Sequence, residues 1–175
     1  MIIEKELEIY NYKRDKFYYA ENFTLKYSRK YPTLEIMDYA WLRYKMLKKD
    51  KENFKDIKIP RFNFYKDIQN MSIDFDVEYI QGITLDNLRT IEIKTLDINE
   101  KIWKGMIERK SDWGFTDITL KNFVITENKE IYFIDLEGYT EISFDYRKFY
   151  FILNTLQFND VSKITGIELT EWQKR

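Results

Sequence analysis

Gly114-Phe115-Thr116-Asp117-Ile118-Thr119-Leu120-Lys121-Asn122, followed across a short hairpin by Asp135-Leu136-Glu137-Gly138, is the stretch that decides how the chain is read. The apolar runs Phe123–Ile125 and Ile131–Ile134 flank the turn Glu127-Asn128-Lys129, a pattern that predicts two short strands returning on each other. Asp135 then stands directly behind a run, Ile131-Tyr132-Phe133-Ile134, that reads as a buried strand. A carboxylate there loses its hydration unless a cation or hydrogen-bond donors meet it. Asp117 and Asn122 have a plainer alternative, since Asx side chains commonly cap their own backbone in turns.

The rest of the composition narrows the chemistry. In 175 residues there are 44% hydrophobic and 34% charged side chains, so the chain has apolar surface enough for an ordinary globular domain or one with two small lobes. No apolar run approaches the roughly 20 residues of a membrane-spanning helix. Cysteine and histidine are both absent, which removes disulfides, thiolate zinc sites, imidazole bases and Ser-His-Asp catalysis. A formal net charge of -1 supplies no global field for nucleic acid, so no such partner is expected. The beginning, Met1-Ile2-Ile3-Glu4-Lys5-Glu6, alternates charge and lacks a secretory signal's apolar centre. A cytoplasmic protein is the expectation.

Along the chain, alternation predicts strands at Ile2–Tyr10, Phe17–Glu21 and Phe23–Ser28. A helix of about four turns follows Thr33, which can cap it; Leu34, Met37, Trp41, Leu42 and Tyr44 recur at helical spacing up to the basic Lys48-Lys49 end. Asp50–Ile59 reads as loop, Phe62–Tyr65 and Ile73–Ile80 as strands around an Asp67–Asn70 turn. Beyond Gly82 the periodicity becomes helical at Thr84–Leu88 and Asp97–Arg109, then Ser111–Asn122 is a loop, and Ser143–Leu156 an aromatic-rich helix.

Asp117-x4-Asn122, the hairpin, and Asp135-Leu136-Glu137, taken with three strands, a helix and two strands upstream, resemble the protein-kinase-like superfamily. Within it the chain looks like a small atypical member similar to the aminoglycoside, choline and lipopolysaccharide-core kinases. The small kinase associated with tRNA threonylcarbamoylation is the second resemblance, through Thr119. What the resemblance implies is an α+β, minimal two-lobed kinase-like fold. An antiparallel N-lobe sheet of five strands with one helix would occupy residues 1–81, and a mainly helical C-lobe with the catalytic loop and metal-binding hairpin residues 82–175. By position, Asp117 would be the catalytic base, and Asn122 and Asp135 the Mg²⁺ ligands facing each other across the hairpin. Lys26, in Phe23-Thr24-Leu25-Lys26, would hold the ATP phosphates and pair with Asp38 or Glu35 on the helix. Glu78-Tyr79-Ile80-Gln81-Gly82 resembles a hinge, with the backbone of Glu78 and Ile80 meeting adenine. Asp145 would brace the catalytic loop or simply cap its helix, and Glu137 is a surface acid or a second metal ligand. Lys26 is equally readable as an exposed strand lysine.

Departures from the family shape the expectation. No glycine precedes Gly82, so Asn11–Lys16 cannot be a glycine-rich phosphate loop, and phosphate would fall to Lys13, Arg14 or Lys16. Phe115-Thr116 stands where histidine is common, which would pass that residue's packing role to the phenyl ring. Only residues 138–144 separate Glu137 from Asp145, leaving no room for a long activation segment. The resemblance therefore implies an ATP- and Mg²⁺-dependent kinase whose partners are the nucleotide and a hydroxyl-bearing sugar, lipopolysaccharide or other small molecule. A minimal serine/threonine protein kinase and a catalytically dead pseudokinase scaffold are the alternatives.

Overall fold

The computed structural model describes residues 18–20, 23–88, 96–109 and 111–147. The chain divides into two compact units: one takes the residues up to Lys49 together with Pro60–Ile80, the other Asp50–Ile59 and the residues from Gln81 on.

In the first unit β1 (Tyr18–Ala20), β2 (Thr24–Lys30), β4 (Phe62–Asp67) and β5 (Ser72–Glu78) form an antiparallel sheet in the order β1-β2-β5-β4. The strand expected at Ile2–Tyr10 lies outside the described residues. Helix α1, Leu34–Asp50, starts where Thr33 predicts: the Thr33 hydroxyl accepts from the Ile36 amide at 3.2 Å. It buries Met37, Ala40, Tyr44 and Leu47, spaced at three and four residues. Leu34 and Leu42, expected on that buried side, are instead exposed. The helix packs through aromatic contacts, Trp41 edge-on to Phe64 at 4.6 Å and Tyr44 edge-on to Phe75 at 4.7 Å, with Tyr27 stacked beneath Phe75. Cross-strand register puts Leu25, Val77 and Phe62 on this covered face, beside Tyr27, Phe75 and Phe64. The β4–β5 turn is closed by the Asp67 carboxylate, which accepts from the Asn70 amide at 3.0 Å.

The second unit holds a four-stranded sheet in the order β3-β9-β8-β6, from β3 (Ile57–Lys58), β6 (Ile83–Thr84), β8 (Phe123–Ile125) and β9 (Ile131–Phe133). The expected hairpin is β8–β9, registered Phe123 to Phe133. β3 was not legible as a strand: Ile57 and Lys58 pair in parallel with Ile131 and Tyr132, a partner far away in sequence. At β6 a Cβ on Gly82 would sit 2.3 Å from the Ile125 carbonyl, so the close approach of the two backbones requires glycine. The short helix expected at Thr84–Leu88 is instead the end of β6 followed by one 3₁₀ turn, Leu85–Asn87. The expected helix Asp97–Arg109 is α2 (Ile98–Ile102) running into a π-helical turn, Trp103–Ile107, with Ile98, Ile102, Met106 and Ile107 buried as their spacing predicts. A second ribbon pairs β7 (Trp113–Phe115) with β10 (Tyr139–Glu141), Phe115 opposite Tyr139. Phe115 lies at the centre of the core, 4.3 Å from the ring of Phe133 and 5.0 Å from that of Tyr139, and burying a ring of this size contributes roughly 1.5–3 kcal/mol. The described part of this unit is thus mostly short strands and single helical turns. The helix expected at Ser143–Leu156 is described over residues 144–147 only, and the rest lies outside the described residues.

Candidate active site

The β7–β10 ribbon and the β8–β9 hairpin together shape the segment from Thr116 to Gly138. Thr116, leaving β7, donates its amide to the Gly138 carbonyl at 3.0 Å, so the start of the loop is tied to the segment behind the hairpin. Leu120–Asn122 is a single 3₁₀ turn, closed by the Asn122 amide on the Thr119 carbonyl at 2.9 Å. The Ile134 amide donates to the Asn122 carbonyl at 2.9 Å, which aligns the two ends of the hairpin. Asp135 follows at once and caps a second 3₁₀ turn, Leu136–Gly138, its Oδ1 accepting from the Glu137 amide at 3.2 Å.

The buried Asn122 side chain joins the parts. Its Nδ2 donates to the Asp117 carbonyl at 3.0 Å and to Asp135 Oδ2 at 3.3 Å. Three residues singled out from the sequence are therefore brought together on one amide. The plain alternative is partly realised as well, since Asn122 and Asp135 both bond backbone groups; the sequence pattern could not separate the two because a structured metal ligand must itself be held. Glu137 is half-buried beside Asp135. Thr119 Oγ1 is shielded from solvent with no hydrogen-bond partner in this otherwise satisfied loop.

Asp135, Asn122 and Glu137 offer carboxylate and amide oxygens, the hard donors that Mg²⁺ takes. Among the described residues no group of three or more acidic, histidine or cysteine side chains converges as a complete metal cage. A sparse donor set of this kind fits Mg²⁺, which usually keeps several waters and completes its shell with substrate phosphates.

The residues expected on the first unit behave differently. Strand register places Lys26 opposite Asp76 and Asn63, on the sheet face turned away from α1. Its Nζ lies 3.4 Å from Asp76, and the side chain is 54% exposed. Asp38 forms its ion pair with Lys66 of β4, and Glu35 is exposed in the first turn of α1. The expected Lys26–Asp38 pair is corrected accordingly: a strand alternates its side chains, and a lysine one residue out of phase with Leu25 and Tyr27 cannot face the helix. The basic residue of β2 on the covered face is Arg29, in register with Ile73 and Lys66. At the hinge-like segment, the Glu78 amide donates to the Arg61 carbonyl at 2.8 Å and its carboxylate accepts from Arg61 twice, while the Tyr79 amide donates to the Phe23 carbonyl. Ile80 is half-buried. Lys13, Arg14 and Lys16 lie outside the described residues.

Sequence reasoning also missed a buried polar cluster behind the loop. Asp50 Oδ2 accepts from Arg109 Nη2 at 3.2 Å, Ser111 Oγ at 3.3 Å and Tyr139 OH at 2.5 Å, and the Arg109 guanidinium stacks 3.6 Å from the ring centroid of Phe54. Burial, then the bond to Asp50, push the Tyr139 phenol well above its ordinary range. Asp145 is exposed, whereas Arg147, two residues on, is buried, with only 1% of its surface exposed. Asp50 lies in the basic cluster Lys45–Lys51, which reads from the sequence as a solvated helix end.

No family model matches the chain, and no curated protein matches it. Solved structures do. The choline kinase LicA from Streptococcus pneumoniae aligns over 97% of this chain and 76% of its own, at 14% identity and a TM-score of 0.57. APH(2")-IIia, solved with GDP and kanamycin, aligns over 95% of this chain and 78% of its own, at 10% identity and a TM-score of 0.57. WbdD, solved with the kinase inhibitor LY294002, aligns over 93% of this chain at 12% identity and a TM-score of 0.53, and the chain spans 46% of its length. The likeness shows the fold: it is α+β and protein-kinase-like. No helix among the described residues is long and apolar enough to cross a membrane.

Proposed function

We propose that the protein transfers a phosphoryl group from ATP, with Mg²⁺, to the hydroxyl of a sugar, lipopolysaccharide or other small molecule. The observation that carries this reading is the convergence of Asp117, Asn122 and Asp135 on one buried amide, in a chain with the protein-kinase-like fold. Asp135 and Asn122 are the residues that would hold the metal, and Mg²⁺ when bound supplies charge neutralisation at the nucleotide phosphates. Asp117 orients the acceptor hydroxyl and takes its proton as the oxygen bonds to the γ-phosphorus and ADP departs. The choice of acceptor is supported by the neighbours in fold, a choline kinase and a protein solved with kanamycin. It is supported too by the short interval, residues 138–143, between Glu137 and the helical turn that follows, which leaves no room for a long activation segment.

The deciding experiment is a thermal-shift titration with ATP, with and without Mg²⁺, because a ligand that binds only the native state raises the melting temperature. A Mg²⁺-dependent rise is the expected result, and absence of any shift with any nucleotide overturns the reading. A second reading, a pseudokinase scaffold, is favoured by one set of observations: Lys26 bound to Asp76, Asp38 bound to Lys66, and no glycine before Gly82. Nucleotide binding with no transfer to water or to a panel of sugar and amino-alcohol acceptors would favour it.

A further inference from the structure

Arg147 is buried, yet no carboxylate receives its guanidinium among the bonds that hold it. Nη1 donates to the carbonyls of Ser111 at 2.5 Å and Trp113 at 3.2 Å, and Nη2 to that of Arg109 at 2.9 Å. The carbonyls of Arg109 and Ser111 and that of Trp113, which opens β7, are thus collected by a single side chain. Such groups must find donors once buried, and a planar fork of five N–H donors can serve several at once where an ammonium cannot. The site is also shaped for this stem: a Cβ on Gly114 would sit 2.5 Å from Arg147 Cδ. The segment so gripped runs directly through β7 into Thr116 and Asp117. The opposite strand is held as well, since Asp50 accepts from both Ser111 Oγ and the Tyr139 hydroxyl.

We propose that Arg147, seated on Gly114, is the positioning residue of the catalytic loop, fixing Asp117 by gripping the carbonyls of Arg109, Ser111 and Trp113. This rests on the kinase reading above for its consequence in catalysis, but not for its geometry. It is the inverse of the expected brace at Asp145: the loop is held by a cation on carbonyl oxygens, not by a carboxylate on amides. Asp145 is exposed on the same turn.

The test uses the full chain and three variants, Arg147→Lys, Arg147→Met and Gly114→Ala, with two readouts. The first is amide hydrogen exchange, compared between residues 113–122 and Ser72–Glu78 of the first unit. Arg147→Met and Gly114→Ala are expected to speed exchange in 113–122 by about tenfold or more while leaving Ser72–Glu78 unchanged, with Arg147→Lys no better than Met because the fork is lost. Uniform acceleration in both regions, or none in 113–122, overturns the proposal. The second readout splits binding from turnover: Mg²⁺-ATP affinity should stay within about threefold while phosphoryl transfer, to water if no acceptor is known, falls by about 100-fold. Equal loss of affinity and turnover overturns the positioning role. If the parent protein binds no nucleotide, the kinase reading fails, and the exchange comparison still decides whether Arg147 holds the loop.

Discussion

The two units treat their polar side chains in opposite ways. In the second, one amide, that of Asn122, ties the backbone carbonyl of Asp117 to the carboxylate of Asp135 within a single loop and hairpin. In the first, the residues expected to serve a nucleotide are paired off separately with side chains of other elements, Lys26 with Asp76 of β5 and Asp38 with Lys66 of β4. A loop-and-hairpin site depends on spacing and turn chemistry, which survive in the linear sequence. A strand site depends on which face a side chain takes, and one residue of phase inverts it.

The largest effect that separates the units is expected at Asp135. Asp135→Ala should abolish the Mg²⁺-dependent rise in melting temperature and all transfer, as read by thermal shift and phosphate release. Asp117→Ala should leave that rise intact while turnover drops by about 10²–10⁴-fold, the usual range for a general base; matched loss of binding in both variants would dissolve the distinction between metal ligand and base. Next comes the buried cluster. Asp50→Asn strands Arg109 beside Arg147 without its carboxylate and should cost about 3–5 kcal/mol in urea unfolding, whereas an unchanged midpoint would remove the cluster from any structural role. Smaller still is an alkaline effect. Tyr44 in the first unit and Tyr139 in the second both have phenols raised above the ordinary value near 10.0, chiefly by burial. Their protonated forms are favoured by folding, so this stability is complete below pH ~10 and is lost as the unfolded chain ionises above it. Tyr139→Phe should flatten the decline in melting temperature between pH 9 and 11 by roughly a degree or two. The smallest change is expected at Lys26→Met: less than about 0.5 kcal/mol, because the pair with Asp76 is exposed, and less than about threefold in nucleotide affinity. A large loss of affinity there would erase the contrast between the units.

How much could be read in advance follows the same division. The β8–β9 hairpin, the Thr33 start of α1, the Asp67 turn and the buried side of α2 were legible because each is written in local periodicity or cap chemistry. β3 and the β7–β10 ribbon were not, since two- and three-residue strands carry no period and are made by distant partners: Ile57 by Ile131, Phe115 by Tyr139. Asp117, Asn122 and Asp135 were singled out by the resemblance that their spacing carries together with the order of elements around them, while Arg147 was not. Nothing in Phe144-Asp145-Tyr146-Arg147 says that the arginine turns inward and the aspartate outward.

The parallel pairing of Ile57–Lys58 with Ile131–Tyr132 also orders events during synthesis. The sheet of the first unit has all its described strands once Glu78 is made, but Phe54 and Ile57, both buried in the finished protein, meet their partners only later, Phe54 the rings of Phe115 and Tyr139 and Ile57 the strand at Ile131. The nascent chain must carry that apolar segment exposed through the intervening residues, the interval in which unpaired apolar surface invites aggregation. The same crossing means that a single cut near residue 81 would leave neither fragment whole: one would keep Phe54 and Ile57 without their partners, and the other would lack the edge strand that closes its sheet beside β9.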